Sequence, residues 1–288
     1  MTPTQRNQGF SLAELAVALL LGTLVVAALL RVLGLSLDTL RMRDDDAALQ
    51  ENLRYALATL ESELSMAGFY GLSADGSSFR FLRNGGVATA VETIPASAQV
   101  CGDNFVANLA QPVQADDGVF TLGAHRSASC NARGGAQAGS DTLTIRRASS
   151  MPTAAESGRL QLLVDRFDDQ GRFIVADGVL PATAMLQPDR LQLHNLELHS
   201  YYISNDSDGR PGFPALRVKT LTRIAGRPSF TDTEVMAGVE DLQLQWQTSG
   251  SIVRAVQVSL RARSGITAAT PRSLTGSRLI ALRNVPFS

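Results

Sequence analysis

Glu14 is the residue whose chemistry most needs explaining. It is the lone charge in the apolar run from Phe10 to Leu30. A carboxylate inside such a helix costs about 2.5–3.5 kcal/mol on insertion scales, and intramembrane carboxylates are usually functional. Two readings follow. Near the start of the run, the side chain can reach water at a membrane edge. Alternatively it awaits a positive partner. A cut before Phe10 would create an α-amine four residues from Glu14. Pairing of that amine with the carboxylate, within one chain or between neighbours, would offset much of the cost of burying both.

The other reactive residues form no constellation. The three histidines are His125, His194 and His199. The last two lie five apart in a strand-like stretch, which puts them on opposite faces. No G-x-S-x-G, P-loop or H-E-x-x-H occurs, and Ser127-Ala128-Ser129-Cys130 reads as a loop, not a nucleophile elbow. We expect no enzyme, no cofactor and no metal site. Asn205-Asp206-Ser207-Asp208-Gly209 resembles the start of a calcium loop, but the later ligands are missing, with Arg217 and Lys219 nearby. A polar turn is the expectation there and at Asp165-x-x-Asp168-Asp169-x-Gly171. The chain has two cysteines, Cys101 and Cys130. In an oxidising compartment they would form a disulfide closing a loop of about 30 residues, worth about 3–4 kcal/mol in the chain-entropy model. Two buried free thiols are the alternative. Zinc is disfavoured, because only His125 is near and no C-x-x-C exists.

These residues sit on a simple framework. The 288 residues suffice for one large domain or two modest ones. Lys and Arg total 26 against 27 Asp and Glu, and Lys219 is the only lysine, so no basic surface for nucleic acid is indicated. The apolar run is long enough, at roughly 30 Å, to cross a bilayer core. The polar leader before it and the absence of a following A-x-A site make a simple signal peptide a poor fit. Beyond Arg31 the pattern becomes amphipathic. Leu49, Leu53, Leu57, Leu60 and Leu64 share one helical face, widened by Ala56 and Ala67. Packing of that face on a sheet is expected in preference to a coiled coil, and Asp44-Asp45-Asp46 reads as a solvated turn. No proline interrupts the chain from Phe10 to Ile94, and Gly68 and Gly71 supply stop signals.

Residues 72–141 are rich in Gly, Ala, Ser and Asn and are expected to struggle to bury enough apolar surface to order themselves. Strand patterns follow at Thr142–Arg147, Leu160–Asp165, Arg172–Ala176 and Ala215–Leu221. Leu191 and Leu193, then Leu196 and Leu198, alternate with a one-residue slip that suggests a bulge. Asp241–Gln247 and Val256–Ala262 alternate cleanly and read as a hairpin across Gly250, with Leu242, Leu244 and Trp246 on the buried face. Leu279–Leu282 is a final strand candidate. The fold class expected is α+β: a long N-terminal helix, half transmembrane and half amphipathic, packed on an antiparallel β-rich head.

Gly9-Phe10-Ser11-Leu12-x-Glu14-Leu15, followed by an apolar helix, resembles the class III signal of type IV prepilins and type II secretion pseudopilins. Gln50-Glu51-Asn52-x-Arg54-Tyr55-Ala56-Leu57 and Leu64-x-Met66-Ala67-Gly68-Phe69-x-Gly71 are similar to the QENGRFAL and RMAGY.G stretches of PilW-type minor pilins, with Leu53 where Gly is frequent and Ser65 where Arg is frequent. Tyr201-Tyr202-Ile203, Pro214–Arg217, Val239–Trp246 and Ala281–Asn284 add to the likeness.

The resemblance implies that a prepilin peptidase cuts after Gly9 and that the new Phe10 amine is methylated, while Glu14 docks the subunit on its neighbour. It implies a cleaved leader (1–9), a membrane and filament-core helix (10–31), an amphipathic helix (32–70) and a periplasmic head (71–288), the head being loop-rich over 72–141 and strand-rich over 142–288. The chain would move from the inner membrane to the pilus. Its implied partners are other minor pilins, the major pilin and a large tip adhesin. A J-type minor pseudopilin of a type II secretion system is the alternative. Orientation is contested: Arg31, Arg41 and Arg43 after the helix outnumber Arg6 before it, which by count places the N-terminus outside. The cleavage motif places it in the cytoplasm.

Overall fold

The computed structural model describes residues 11–73, 75–83, 87–89, 99–102, 104–122, 128–167, 172–181, 190–249, 252–264 and 272–284. Gly9, Phe10, His125, Asp168, Asp169, Gly171 and Gly250 therefore lie outside the described residues. The chain divides into two compact units, Met1–Ala48 and Leu49–Ser288. One helix, α1 (Leu12–Met66), contributes to both.

In the first unit α1 is apolar on all sides from Leu15 to Leu30. Leu15, Leu19, Val26, Leu30 and Leu33 are each more than half exposed. A helix that is hydrophobic all round needs a nonaqueous environment, and this one is long and apolar enough to cross a membrane.

In the second unit α1 buries the face expected from its leucine spacing: Leu49, Leu53, Ala56, Leu57, Leu60 and Leu64. These, with Ala67 just past the end of α1, pack with Leu143, Ile145, Tyr201, Ile203, Leu242, Val258 and Leu260 from strands into one core. Gly68 ends the helix at φ +76°, a conformation that costs glycine least. A Cβ there would meet the backbone oxygen of Asn284.

The strands are β1 (Arg80–Arg83), β2 (Val87–Thr89), β3 (Val113–Asp116), β4 (Thr142–Ala148), β5 (Gln161–Asp165), β6 (Arg172–Val175), β7 (Leu191–Ser204), β8 (Ala215–Ile224), β9 (Arg227–Ala237), β10 (Val239–Ser249), β11 (Ile252–Arg263) and β12 (Ser273–Ala281). Nine form a sheet in the order β2-β1-β6-β5-β7-β4-β3, with β8 pairing β7 and β9; the remaining three form a sheet in the order β10-β11-β12. The pairing is antiparallel except between β1 and β6, which run parallel, so the head is not wholly antiparallel.

Three expectations need correction. β7 has no bulge between Leu193 and Leu196, for its pairing with β5 ends at Asn195 and that with β4 begins at Leu196 in the same register sense. The slip arises because both sheet faces are covered: Leu193 packs with Leu82, Leu163 and Val175, whereas Leu196 and Leu198 pack with Leu160, Leu162 and Ile174. Residues 72–141 are less poor in core than expected. Phe79, Phe81, Val100, Val106, Leu109 and Leu122 are buried. In the hairpin, Leu242 and Leu244 pair with Leu260 and Val258 as expected. Trp246, however, is 39% exposed, so the buried face thins toward the hairpin tip.

Candidate functional site

The start of α1 is built by Ser11 and Glu14. The Ser11 hydroxyl accepts the Ala13 N–H at 3.2 Å, and the Glu14 carboxylate accepts the Ser11 N–H at 3.0 Å. The Ser11 carbonyl takes the first helical bond, from Leu15. This is a reciprocal capping box, which satisfies two of the N–H groups that a helix start leaves open. The spacing Ser-x-x-Glu carries this signal in the sequence. Glu14 thus has a local partner in addition to any amine. The positive end of the helix dipole adds to its stabilisation.

The cysteines are brought together. Cys101 and Cys130 form a disulfide across 29 residues of sequence, and both are buried. Cys130 ends a short 3-10 turn, Ala128–Cys130. The preceding carbonyl, of Ser129, accepts a hydrogen bond from Lys219 Nζ at 2.9 Å.

Lys219 belongs to a buried charge network that sequence reasoning missed. Arg217 and Lys219 on β8 face Glu234 and Asp232 on β9. Asp232 accepts from Arg217 Nε at 2.7 Å, Lys219 Nζ at 2.9 Å and the Tyr202 hydroxyl at 2.7 Å. Burial works to raise the Asp232 pKa, but these donors outweigh it and hold the carboxyl below its ordinary value. Arg217 also meets Asp208 at 3.0 Å, and Arg133 meets the same Asp208 oxygen at 3.3 Å. The Asp206 carboxylate accepts the Gly212 N–H at 2.7 Å. The Asn205–Gly209 turn is therefore tied to guanidinium groups, where a cation would meet like charge. Two alternating cations on one strand opposite two alternating anions on the next would have signalled this network.

A second buried cation, Arg146 on β4, binds backbone carbonyls. It donates to Phe105 O at 2.7 and 2.9 Å, to Gln111 O at 2.9 Å and to Gln114 Oε1 at 3.0 Å. Burial pulls its pKa down to about 10, which leaves it charged at neutral pH. Arg146 thereby orders a segment with little strand pattern of its own.

The two described histidines do not share a site. His194 Nδ1 lies 2.8 Å from Ser149 O, whereas His199 Nδ1 lies 2.7 Å from the Glu63 carboxylate of α1. Glu63 also meets Arg147 at 3.4 Å. Burial raises the Glu63 pKa, but His199 and Arg147 outweigh it and leave it below the usual value. Among the described residues, no group of three or more His, Cys, Asp or Glu is placed to hold a metal ion.

No family model, no curated protein and no solved structure matches the chain. The functional reading therefore rests on the residues themselves. What the arrangement offers is a capped apolar helix of membrane-spanning length, continued by an amphipathic half whose apolar face packs on strands in a disulfide-bonded second unit.

Proposed function

We propose that this chain is a structural subunit of the type IV pilin class, a minor pilin that takes part in priming and assembly of a pilus. The observation that carries the reading is the sequence Gly9-Phe10-Ser11-Leu12-x-Glu14 directly before an all-round apolar helix that begins at Leu12. A prepilin peptidase removes residues 1–9, and the helix holds the subunit in the inner membrane until it joins a helical bundle in the fibre. Other minor pilins, the major pilin and a tip adhesin are the partners. The head contributes contacts on the periplasmic side and carries no catalytic duty.

Two substitutions at Glu14 separate its roles. Glutamine can still accept the Ser11 N–H, so Glu14→Gln keeps the cap and loses the charge. Alanine loses both, which costs about 0.3–1 kcal/mol for a carboxylate in the first turn of a helix. If pairing with the Phe10 amine drives assembly, both variants are cleaved and neither enters pili. Normal piliation with Glu14→Gln would show that the cap, and not the charge, is what matters. Gly9→Val is expected to leave the uncut form in the membrane on an immunoblot; a product of mature size would count against processing at this site.

A further inference from the structure

Among the described residues the outer edge of β12 carries no strand partner. The strand pairs with β11 in nine consecutive register pairs without a bulge. The bonds Ser264 N–H to Arg272 O and Leu282 N–H to Arg254 O bracket this ladder. In an antiparallel pair the bonded residues alternate, so even-numbered residues bond to β11. Ser273, Thr275, Ser277, Leu279 and Ala281 therefore turn their N–H and C=O groups outward. Natural edges are usually blunted by proline, a bulge or charge. β12 has no proline or bulge, and its one charge, Arg278, is turned onto Glu61 of α1 at 2.7 Å.

Beside this edge runs a groove between β12 and α1. Leu53, Leu57 and Leu274 line it, with Gln50, Arg54, Glu61 and Arg278 at its rim. The Arg54 side chain is 81% exposed. Glu61 pairs with Arg278 and Glu51 with Arg54, but the strand side of the groove adds only positive charge. Residues 252–284 carry Arg254, Arg261, Arg263, Arg272, Arg278 and Arg283 and no Asp or Glu. Arg272 and Arg283 are exposed just outside the two ends of the strand.

We propose that β12 and this groove bind an extended, acidic segment of another protein by strand addition. Backbone pairing to the outward groups supplies affinity, alternate apolar side chains enter the groove, and carboxylates meet Arg54 and Arg283. A second copy of this chain is a poorer occupant. Pairing of two copies along this edge would set the six arginines of residues 252–284, which have no Asp or Glu among them, against their own like charge. The proposal does not depend on the pilin reading.

The test uses the full chain in detergent and two synthetic nine-residue peptides, one alternating valine with glutamate and one alternating valine with lysine, followed by fluorescence anisotropy. The acidic peptide is expected to bind, with affinity falling as salt rises, and the basic one is not. Ser277→Pro removes an outward N–H without touching the β11 ladder; it should weaken binding about tenfold or more, the equivalent of one or two lost hydrogen bonds. Arg54→Glu, at an exposed position, should shift the preference toward the basic peptide and serves if the proline variant fails to fold. Equal binding of both peptides, binding of neither, or full binding by Ser277→Pro would overturn the proposal. So would a dimer that Ser277→Pro disperses in a protein that binds no peptide.

Discussion

Asp232→Ala is expected to lower the unfolding free energy of the second unit by about 3–5 kcal/mol, the usual cost of stranding a buried charge. Asp232 stands between two cations whose side chains are 1% and 2% exposed, Arg217 and Lys219. Removing the carboxylate leaves the Lys219 ammonium with the Ser129 carbonyl and no counter-charge at that distance, leaves Arg217 only Asp208 and Glu234, and takes away the acceptor of the Tyr202 hydroxyl proton. Asp232→Asn keeps an acceptor for one donor and should cost less. Lys219→Met removes one cation and leaves Asp232 paired with Arg217, so it should be milder still. Urea denaturation of the full chain in detergent, followed by Trp246 fluorescence, gives the order; a midpoint for Asp232→Ala equal to the wild type would refute the network's importance. The pH dependence follows from the same group. Its folded pKa lies below the ordinary 3.8, so its contribution is present above about pH 4 and is lost as pH falls through the folded value. Glu63 behaves alike against its ordinary 4.5. Acid should therefore destabilise the wild type, and the drop should be shallower in Asp232→Ala.

Replacing Cys101 and Cys130 together by serine is expected to cost about 3–4 kcal/mol, the loop-entropy value for a closure of this size. For a unit of this length that is a fall in melting temperature of roughly 10 °C. Both cysteines are buried, at 3% and 0% exposure, so the serine hydroxyls add a desolvation cost. Reducing the wild type isolates the cross-link from that cost, and scanning calorimetry with and without dithiothreitol measures it. Unchanged melting on full reduction would contradict a stabilising role. The effect also couples to the charge network, because Ser129, next to Cys130, holds Lys219 through its carbonyl. The cysteine pair combined with Asp232→Ala should cost less than the two separately, since each disorders part of the same contact.

What the sequence disclosed and what it hid have physical reasons. The buried face of α1 was legible because leucines at helical spacing have one way to be covered. β10 and β11 were legible because one face is wet, which preserves strict alternation. β7 was misread because both its faces are buried in different stretches, and two covered faces mimic a slip in register. β12 was caught only near its end, since most of its side chains are exposed and leave no apolar rhythm. Arg146 left no signal at all. Its acceptors are backbone carbonyls and a glutamine, placed by a segment without periodicity. Glu14 was singled out by its charge, while the neighbour that caps with it, Ser11, stood in plain view in the same motif.

The most direct test of the central claim is the N-terminus of the protein extracted from membranes, read by sequencing and intact mass. Lys219 is the only lysine and is buried with its ammonium on Asp232, so amine-directed labelling of the folded protein reports chiefly on the α-amine. The account predicts a chain beginning at Phe10 with a methylated amine. A chain beginning at Met1, or one cut after Ala27 or Ala28, would contradict it.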